Sequence, residues 1–300
     1  MTSVAVIAHS EKQLGGGLGR LRDVLTEHGI ADPIWLEVPK SRKVPARVKE
    51  AIKKGASLIF VWGGDGSVQR CIDAAVGSGV TIAILPAGTA NLLANNLGIP
   101  IDLEEAVEVG LHGANHTIDL GKMNGEHFAV MAGIGLDALM IRDASSAMKD
   151  RFGRAAYIWT AARHVRSNPV RTEVRVDGHK WFDGAASCVL VANVGSVGGG
   201  VTAFDHASPD DGKLDVAVMT ADGIWQWLRT LTRASVGNPE KSPLVRMTQA
   251  HKIDIDSRSS RPYELDGGAR PPTKKVRVRV VPHAVTIRVP GPNGRVTGGR

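Results

Sequence analysis

The 300-residue chain is short of cysteine, of aromatic side chains and of long apolar runs. Its two cysteines, Cys71 and Cys188, stand far apart and form no CxxC pair, which excludes a disulfide framework and a thiolate metal centre and fits a reducing cytosol. Phe, Trp and Tyr together make up 4% of the residues, with no aromatic-studded basic stretch and no zinc-finger spacing, so no nucleic-acid partner is expected. Nowhere do about 18 apolar residues run uninterrupted, and no basic leader precedes an apolar segment. Neither export nor membrane spanning is expected.

What is present is enough apolar material for real cores, 43% of residues, and a formal net charge of +7. That charge suits a polyphosphate ligand or an anionic bilayer. In the first half, short apolar runs predict strands over residues 4–8, 34–38, 58–62 and 82–85. Between them, apolar residues three or four apart predict helices over 18–28, 44–54 and 68–76. Alternation of this kind implies parallel βαβ units in an open, doubly wound sheet. After about residue 115 the texture becomes β-rich, with strands predicted over 116–123, 127–132, 171–177, 187–193, 214–219, 276–281 and 285–289. Helical patterns over 148–165 and 223–235 interrupt it. The expected organisation is a first domain over 1–117 and a β-rich second domain over 118–282, with the segment from about 283 to 300 free to pack back on the first.

Two loops carry chemistry. In LIFVWGGDGS an apolar strand enters Gly63, Gly64, Asp65, Gly66 and Ser67 and then a helix. Glycines there let main-chain N–H groups approach an anion, and the helix N-terminus adds unpaired donors. Asp65 alone would repel phosphate, so it points to a Mg²⁺ ion or to the proton of an attacking hydroxyl. The bland alternative is a tight strand-to-helix turn in which Asp65 caps the helix. In TIAILPAGTAN a second strand ends at Gly88, Thr89 and Asn91. The two loops are expected side by side at the carboxyl ends of parallel strands, where open α/β sheets bind ligands.

GGDGS and PAGTAN, in this order and at this spacing, resemble the diacylglycerol kinase catalytic superfamily, which includes sphingosine kinases and, more distantly, NAD kinases. The resemblance continues through the hinge at residues 119–138, the glycine stretch at 193–200, SPDDGKLDVAVM at 208–219 and ELDGG at 264–268. It implies an α/β plus β architecture: a Rossmann-like nucleotide domain followed by a β-sandwich domain of NAD kinase type. It also implies an ATP- and Mg²⁺-dependent lipid kinase that transfers the γ-phosphoryl group to a lipid hydroxyl. Diacylglycerol is the first expected acceptor and a sphingoid base the second, with a soluble acceptor such as NAD as a rival.

By position, nucleotide contacts fall on His9, Ser10, Gly63, Gly64, Asp65, Gly66, Ser67, Gly88, Thr89 and Asn91. The Mg²⁺ site falls on Asp211 with the main-chain oxygens of Ser208 and Lys213. Three acids are candidates to take the acceptor proton: Asp65 first, then Asp266 and Glu264. The chain departs from the family's pattern at His9-Ser10, where relatives carry Asn-Pro or Asn-x, and at Asn95, where they often carry Arg. It departs also at Gly268, where the family's DGE has its glutamate. Those losses motivate the alternative of a lipid- or nucleotide-binding protein with impaired catalysis. The expected partners are a membrane lipid substrate, an anionic membrane surface met peripherally from the cytoplasm, and a second copy of the chain. Residues 148–165, with Tyr157, Ile158 and Trp159 among basic residues, and 223–235, with Trp227 and Leu228, are the expected interfacial helices.

Overall fold

In the computed structural model of the chain, residues 3–13, 16–135, 169–196, 202–221 and 244–291 are described. They divide into two units, Met1–Ile118 with His283–Arg300, and Asp119–Pro282.

The first unit follows from apolar runs too continuous for a sheet with one wet face. β1 (Val4–His9), β3 (Leu58–Gly63) and β4 (Thr81–Pro86) are buried along nearly their whole length, as parallel strands covered on both sides must be. β2 (Ile34–Val38) alternates more and lies at the edge. Helices α1 (Gly17–Glu27) and α2 (Val44–Lys53) cover the sheet with one face each: Leu21, Val24 and Leu25 from the first, Val44, Val48 and Ala51 from the second. α3 (Asp65–Ala75) buries Val68, Cys71, Ile72 and Ala75 in the same way. The short α4 (Leu92–Asn96) and the longer α5 (Leu103–His112) complete the unit, and α5 starts at Asp102, whose carboxylate accepts from the amides of Glu104 and Glu105.

The second unit contains β5 (Ala114–Met123, begun in the first unit), β6 (Glu126–Phe128), β7 (Met131–Ile134), β8 (Val170–Val176), β9 (His179–Ala186) and β10 (Cys188–Ala192). It continues with β11 (Leu214–Met219), β12 (Val245–Ala250), β13 (Lys252–Leu265) and β14 (Gly268–Val289), whose last residues return to the first unit. There, Thr286 and Ile287 pair in parallel with Thr81 and Ile82, giving the five-stranded parallel order β2-β1-β3-β4-β14. The order reverses between β1 and β3, which makes that pair the switch point of the sheet.

Pairing in the second unit is antiparallel, in the order β12-β11-β10-β7-β13-β14, with β8 and β9 added to the first half of β13. β13 slips register between Asp256 and Tyr263, so residues 253–257 pair with β8 and residues 263–265 with β7. A strand that passes from one layer to the next through such an irregularity lets two sheets share one core. Phe128, Val174, Val191, Val216, Ile255 and Val276 meet in it. Three hairpins close on Asn124-Gly125, Asp177-Gly178 and Asp266-Gly267, with positive φ at both residues of each, the conformation that suits the twist of two-residue hairpins.

Three expectations change. The run at 127–132 is two strands, because the amides of Ala129 and Val130 turn away to bind the carboxylate of Asp266. The runs at 276–281 and 285–289 belong to one strand, β14. β9, β12, β13, the first part of β14 and α5 were not predicted. The helical patterns over 148–165 and 223–235 lie outside the described residues.

Candidate functional site

Four strand ends of the first unit, adjacent in the sheet, put their loops on one edge. β3 ends at Gly63-Gly64 and β4 at Pro86, and the two loops touch through their glycines. A Cβ on Gly88 would stand 2.5 Å from the Cα of Gly64 and 2.7 Å from Oδ1 of Asn91, so only glycine allows this approach. The Ala87 amide donates to the Gly63 carbonyl, at 2.9 Å. The two phosphate-loop candidates are thus brought together, as their spacing predicted.

Asp65 is the clasp. Its Oδ1 accepts from the amide of Leu92 at 2.5 Å and its Oδ2 from the amide of Asn91 at 3.1 Å, so the first loop holds the start of α4 in the second. Asn91, at φ 46°, folds its own amide side chain back on Gly88: the Gly88 N–H donates to Oδ1 at 2.9 Å and Nδ2 donates to the Gly88 carbonyl at 3.0 Å. Asn95 donates to the carbonyl of Ala90 and fixes the same loop. Asp65 therefore does cap a helix, but the helix is α4 rather than its own α3. The N-terminus of α3 has Gly64 at the cap and no side-chain hydrogen bond. It is left open toward an anion, while α5 is closed by Asp102.

Burial pushes the Asp65 carboxyl above the ordinary aspartate range, against the pull of the Leu92, Asp65 and Asn91 amides and the charge of Lys12. A carboxylate offers about four lone-pair positions, and the two strapping bonds leave room for a further donor. On the neighbouring strand end, His9 is held below its usual pKa by burial and then by Lys12. Ser10 is tied to β2 through its amide and hydroxyl, both donating to the Val38 carbonyl. Ser67 is buried beside Gly63, and Thr89 is exposed at the rim.

Sequence reading missed Ser41. The 3-10 turn Ser41–Lys43 follows β2, and the Ser41 hydroxyl lies 3.8 Å from the position of a Cβ on Gly66. It brings a hydroxyl, with Arg42 and Lys43 next in the chain, to the glycine loop. The usable signal was its place just past a parallel strand, on the edge that already carried both glycine loops.

The acids of the second unit are placed differently. Asp266 is 6% exposed, and its carboxylate accepts from the amides of Ala129, Val130 and Met131 at 2.8, 2.9 and 2.9 Å. It pins the start of β7 to the β13–β14 hairpin, and that commitment argues against a part in proton transfer. Glu264 is 1% exposed on β13. At Gly268, Nη1 of Arg270 lies 2.8 Å from where a Cβ would stand, and Arg270 is held bidentately by Glu126. A guanidinium thus occupies the space next to the position that lacks the family's glutamate.

The loop from Ser208 to Lys213 is anchored by Asp119, whose amide donates to the Pro209 carbonyl and whose Oδ2 accepts from the Gly212 amide. Asp211 is exposed, with Oδ1 accepting from the Lys213 amide. Burial, the Asp211 charge adding to it, raises the Asp215 pKa. Among the described residues no group of three or more His, Cys, Asp or Glu side chains is arranged to hold a metal. A site of one carboxylate with the Ser208 and Lys213 main-chain oxygens is a hard, oxygen-only donor set. Such a donor set would suit Mg²⁺ by its chemistry. No helix among the described residues is long and apolar enough to cross a membrane.

The sequence pattern of the diacylglycerol kinase catalytic domain matches residues 6–123, and that of the YegS C-terminal NAD kinase beta sandwich-like domain matches residues 130–289. The chain is 30% identical over 227 residues to "Diacylglycerol kinase" of Bacillus subtilis (strain 168), covering 73% of each. It is 28% identical over 280 residues to "Probable lipid kinase YegS-like" of Enterobacter sp. (strain 638), covering 90% of this chain and 91% of the other. A crystal structure of a diacylglycerol kinase from Bacillus anthracis str. Sterne superposes with a TM-score of 0.76 at 22% identity over 96% of both chains. Yeast NADH kinase superposes with a TM-score of 0.53 at 11% identity, over 96% of this chain and 83% of the other. Those structures share its fold, an α/β domain followed by a β-sandwich-like domain. With both halves matched in order and the two glycine loops locked as one edge, the chain belongs to the diacylglycerol kinase catalytic domain family and is an enzyme of the lipid kinase type.

Proposed function

We propose that this protein transfers the γ-phosphoryl group of ATP to the hydroxyl of a membrane lipid, with diacylglycerol as the acceptor and phosphatidic acid as the product. The observation that carries the reading is the Asp65 clasp, which holds two glycine loops and an uncapped α3 N-terminus on one sheet edge. Main-chain donors and the helix terminus would take the phosphates, with Lys12 and Ser41 at the margin. Mg²⁺ supplies charge neutralisation on the phosphates. Asp65 is half-buried, stands in the glycine loop and keeps a lone-pair position beyond its main-chain bonds, so it ranks above Asp266 and Glu264 as the group that orients the acceptor hydroxyl and takes its proton. Phosphoryl transfer depends chiefly on positioning and electrostatics, so the missing glutamate at 268 slows the reaction without abolishing it. The Mg²⁺ loop at Ser208, Asp211 and Lys213 would serve the architecture of the second unit.

A second reading, nucleotide binding with negligible turnover, is favoured by one observation, the Arg270 guanidinium beside Gly268. Labelled ATP with diacylglycerol, sphingosine, NAD or no acceptor, with and without Mg²⁺, separates the two. Label in phosphatidic acid alone supports the proposal. ATP binding with background transfer to every acceptor sinks it.

A further inference from the structure

The chain's excess positive charge is not spread evenly, and one of its concentrations lies on the outer face of β9, β8, β13 and β14. Alternation along these strands sends Ile253, Ile255, Val276 and Val278 into the core and charged residues outward. The acids on this face are all spent. Asp183 pairs with Arg171 and Lys180, and Glu173 with Arg175 and Lys180. Asp254 pairs with Lys252 and Arg277, and Asp256 with Arg277. Left over are Arg258, Lys275 and Arg279 on this face, with Lys274 beside them in the irregular stretch of the β13–β14 pairing; all four are exposed and make no ion pair among the described residues.

Three of the four unpaired cations, Arg258, Lys274 and Lys275, line one open groove of about 540 Å³ together with Arg171. The acids in the groove, Glu173, Asp183 and Asp256, are those already neutralised. No aromatic side chain lines it, so it offers no platform on which a base could stack. The groove's cations come from three adjacent strands, β8, β13 and β14, and so spread across the sheet rather than along one strand. A surface of phosphodiesters is the complement of such a plane, because each basic residue near an anionic bilayer adds its own attraction.

We propose that this face docks the protein on an anionic bilayer, the groove receiving the phosphodiester of a lipid headgroup. The inference rests on the lipid kinase reading for its purpose, but its test does not. Arg258→Gln with Lys274→Gln removes two unpaired charges and no contact with the core. Lys49→Gln with Lys53→Gln removes the same charge from exposed positions on α2 and serves as the control. Sedimentation with phosphatidylcholine vesicles, with and without phosphatidylglycerol, reads the partition coefficient.

The wild type should bind only the phosphatidylglycerol vesicles and lose binding as salt rises. The groove variant should bind them about 25-fold more weakly, at roughly fivefold per charge, while the α2 variant changes less than about threefold. Equal loss in both variants, no loss in the groove variant, or equal binding to phosphatidylcholine alone overturns the proposal. So does wild-type binding to single-stranded DNA that the groove variant loses while its vesicle binding survives. Activity is read separately on lipid in neutral detergent micelles. There the groove variant should match the wild type, and a wild type without turnover would contradict the kinase reading while leaving the vesicle result standing.

Discussion

Asp65 and Asp266 are the same residue in the same local context, an aspartate followed by glycine, and each accepts main-chain hydrogen bonds from a distant segment of its own unit. What separates them is where they stand. Asp65 stands half-buried at a helix start, strapped to the Asn91 and Leu92 amides, whereas Asp266 is 6% exposed in a two-residue hairpin turn and is held by the Ala129, Val130 and Met131 amides. The motif letters mark both; exposure and place separate them, one on the ligand edge of the parallel sheet and the other inside a hairpin.

The sharpest way to break that comparison is to remove Asp266. Asp266→Ala strands three amides in a buried turn and should cost about 4 kcal/mol of stability, a fall of about 10 °C in the melting temperature, read by thermal denaturation. A loss below about 1 kcal/mol would mean that the hairpin does not depend on it. Gly88→Ala tests the glycine contact in the first unit. Its Cβ would meet the Gly64 main chain as well as the Asn91 side chain, so the loops must part; ATP affinity should fall about tenfold by calorimetry, with the fold intact.

The two units also carry one buried thiol each, Cys71 in α3 and Cys188 in β10, and burial pushes both up to about 12 from 9.0. A thiol whose folded pKa is raised contributes stability that is fully present below the unfolded value. That stability is lost as pH rises from about 9 toward 12. Denaturant midpoints should therefore fall steeply above pH 9. At pH 8 neither thiol should react with an alkylating reagent except through unfolding, so unequal labelling rates would show that one unit opens before the other. The smallest effect is expected at the closed helix start. Asp102→Ala should cost about 1 kcal/mol and leave ATP binding unchanged, because α5 serves the fold and not the ligand edge.

The parallel unit was legible because strands buried on both faces read as unbroken apolar runs, and glycine loops are contiguous in sequence. β13 was not, since KIDIDSRSSRPYEL alternates core isoleucines with charged and hydroxyl residues and ends on a proline-containing irregular stretch. The outward charges that hid the strand belong to the same face that carries the proposed docking groove. In the site, the proximity of the two loops could be read, but the Asp65 clasp could not, because it joins residues 26 and 27 positions apart. Ser41 is as distant in sequence from the glycine loop, and only its place just past a parallel strand hinted at it. The three-amide anchorage of Asp266 could not be foreseen either, because its partners lie more than 130 residues away.

The account turns on Asp65, and the direct test is the rate of Mg²⁺-dependent diacylglycerol phosphorylation by Asp65→Asn beside the wild type, with melting temperatures in parallel. The prediction is a turnover lower by about 10² to 10⁴, with a melting temperature lower by about 5 °C because Asn keeps only one of the two clasp acceptors. An Asp65→Asn protein that phosphorylates the lipid at the wild-type rate would contradict the assignment of that carboxylate to the reaction.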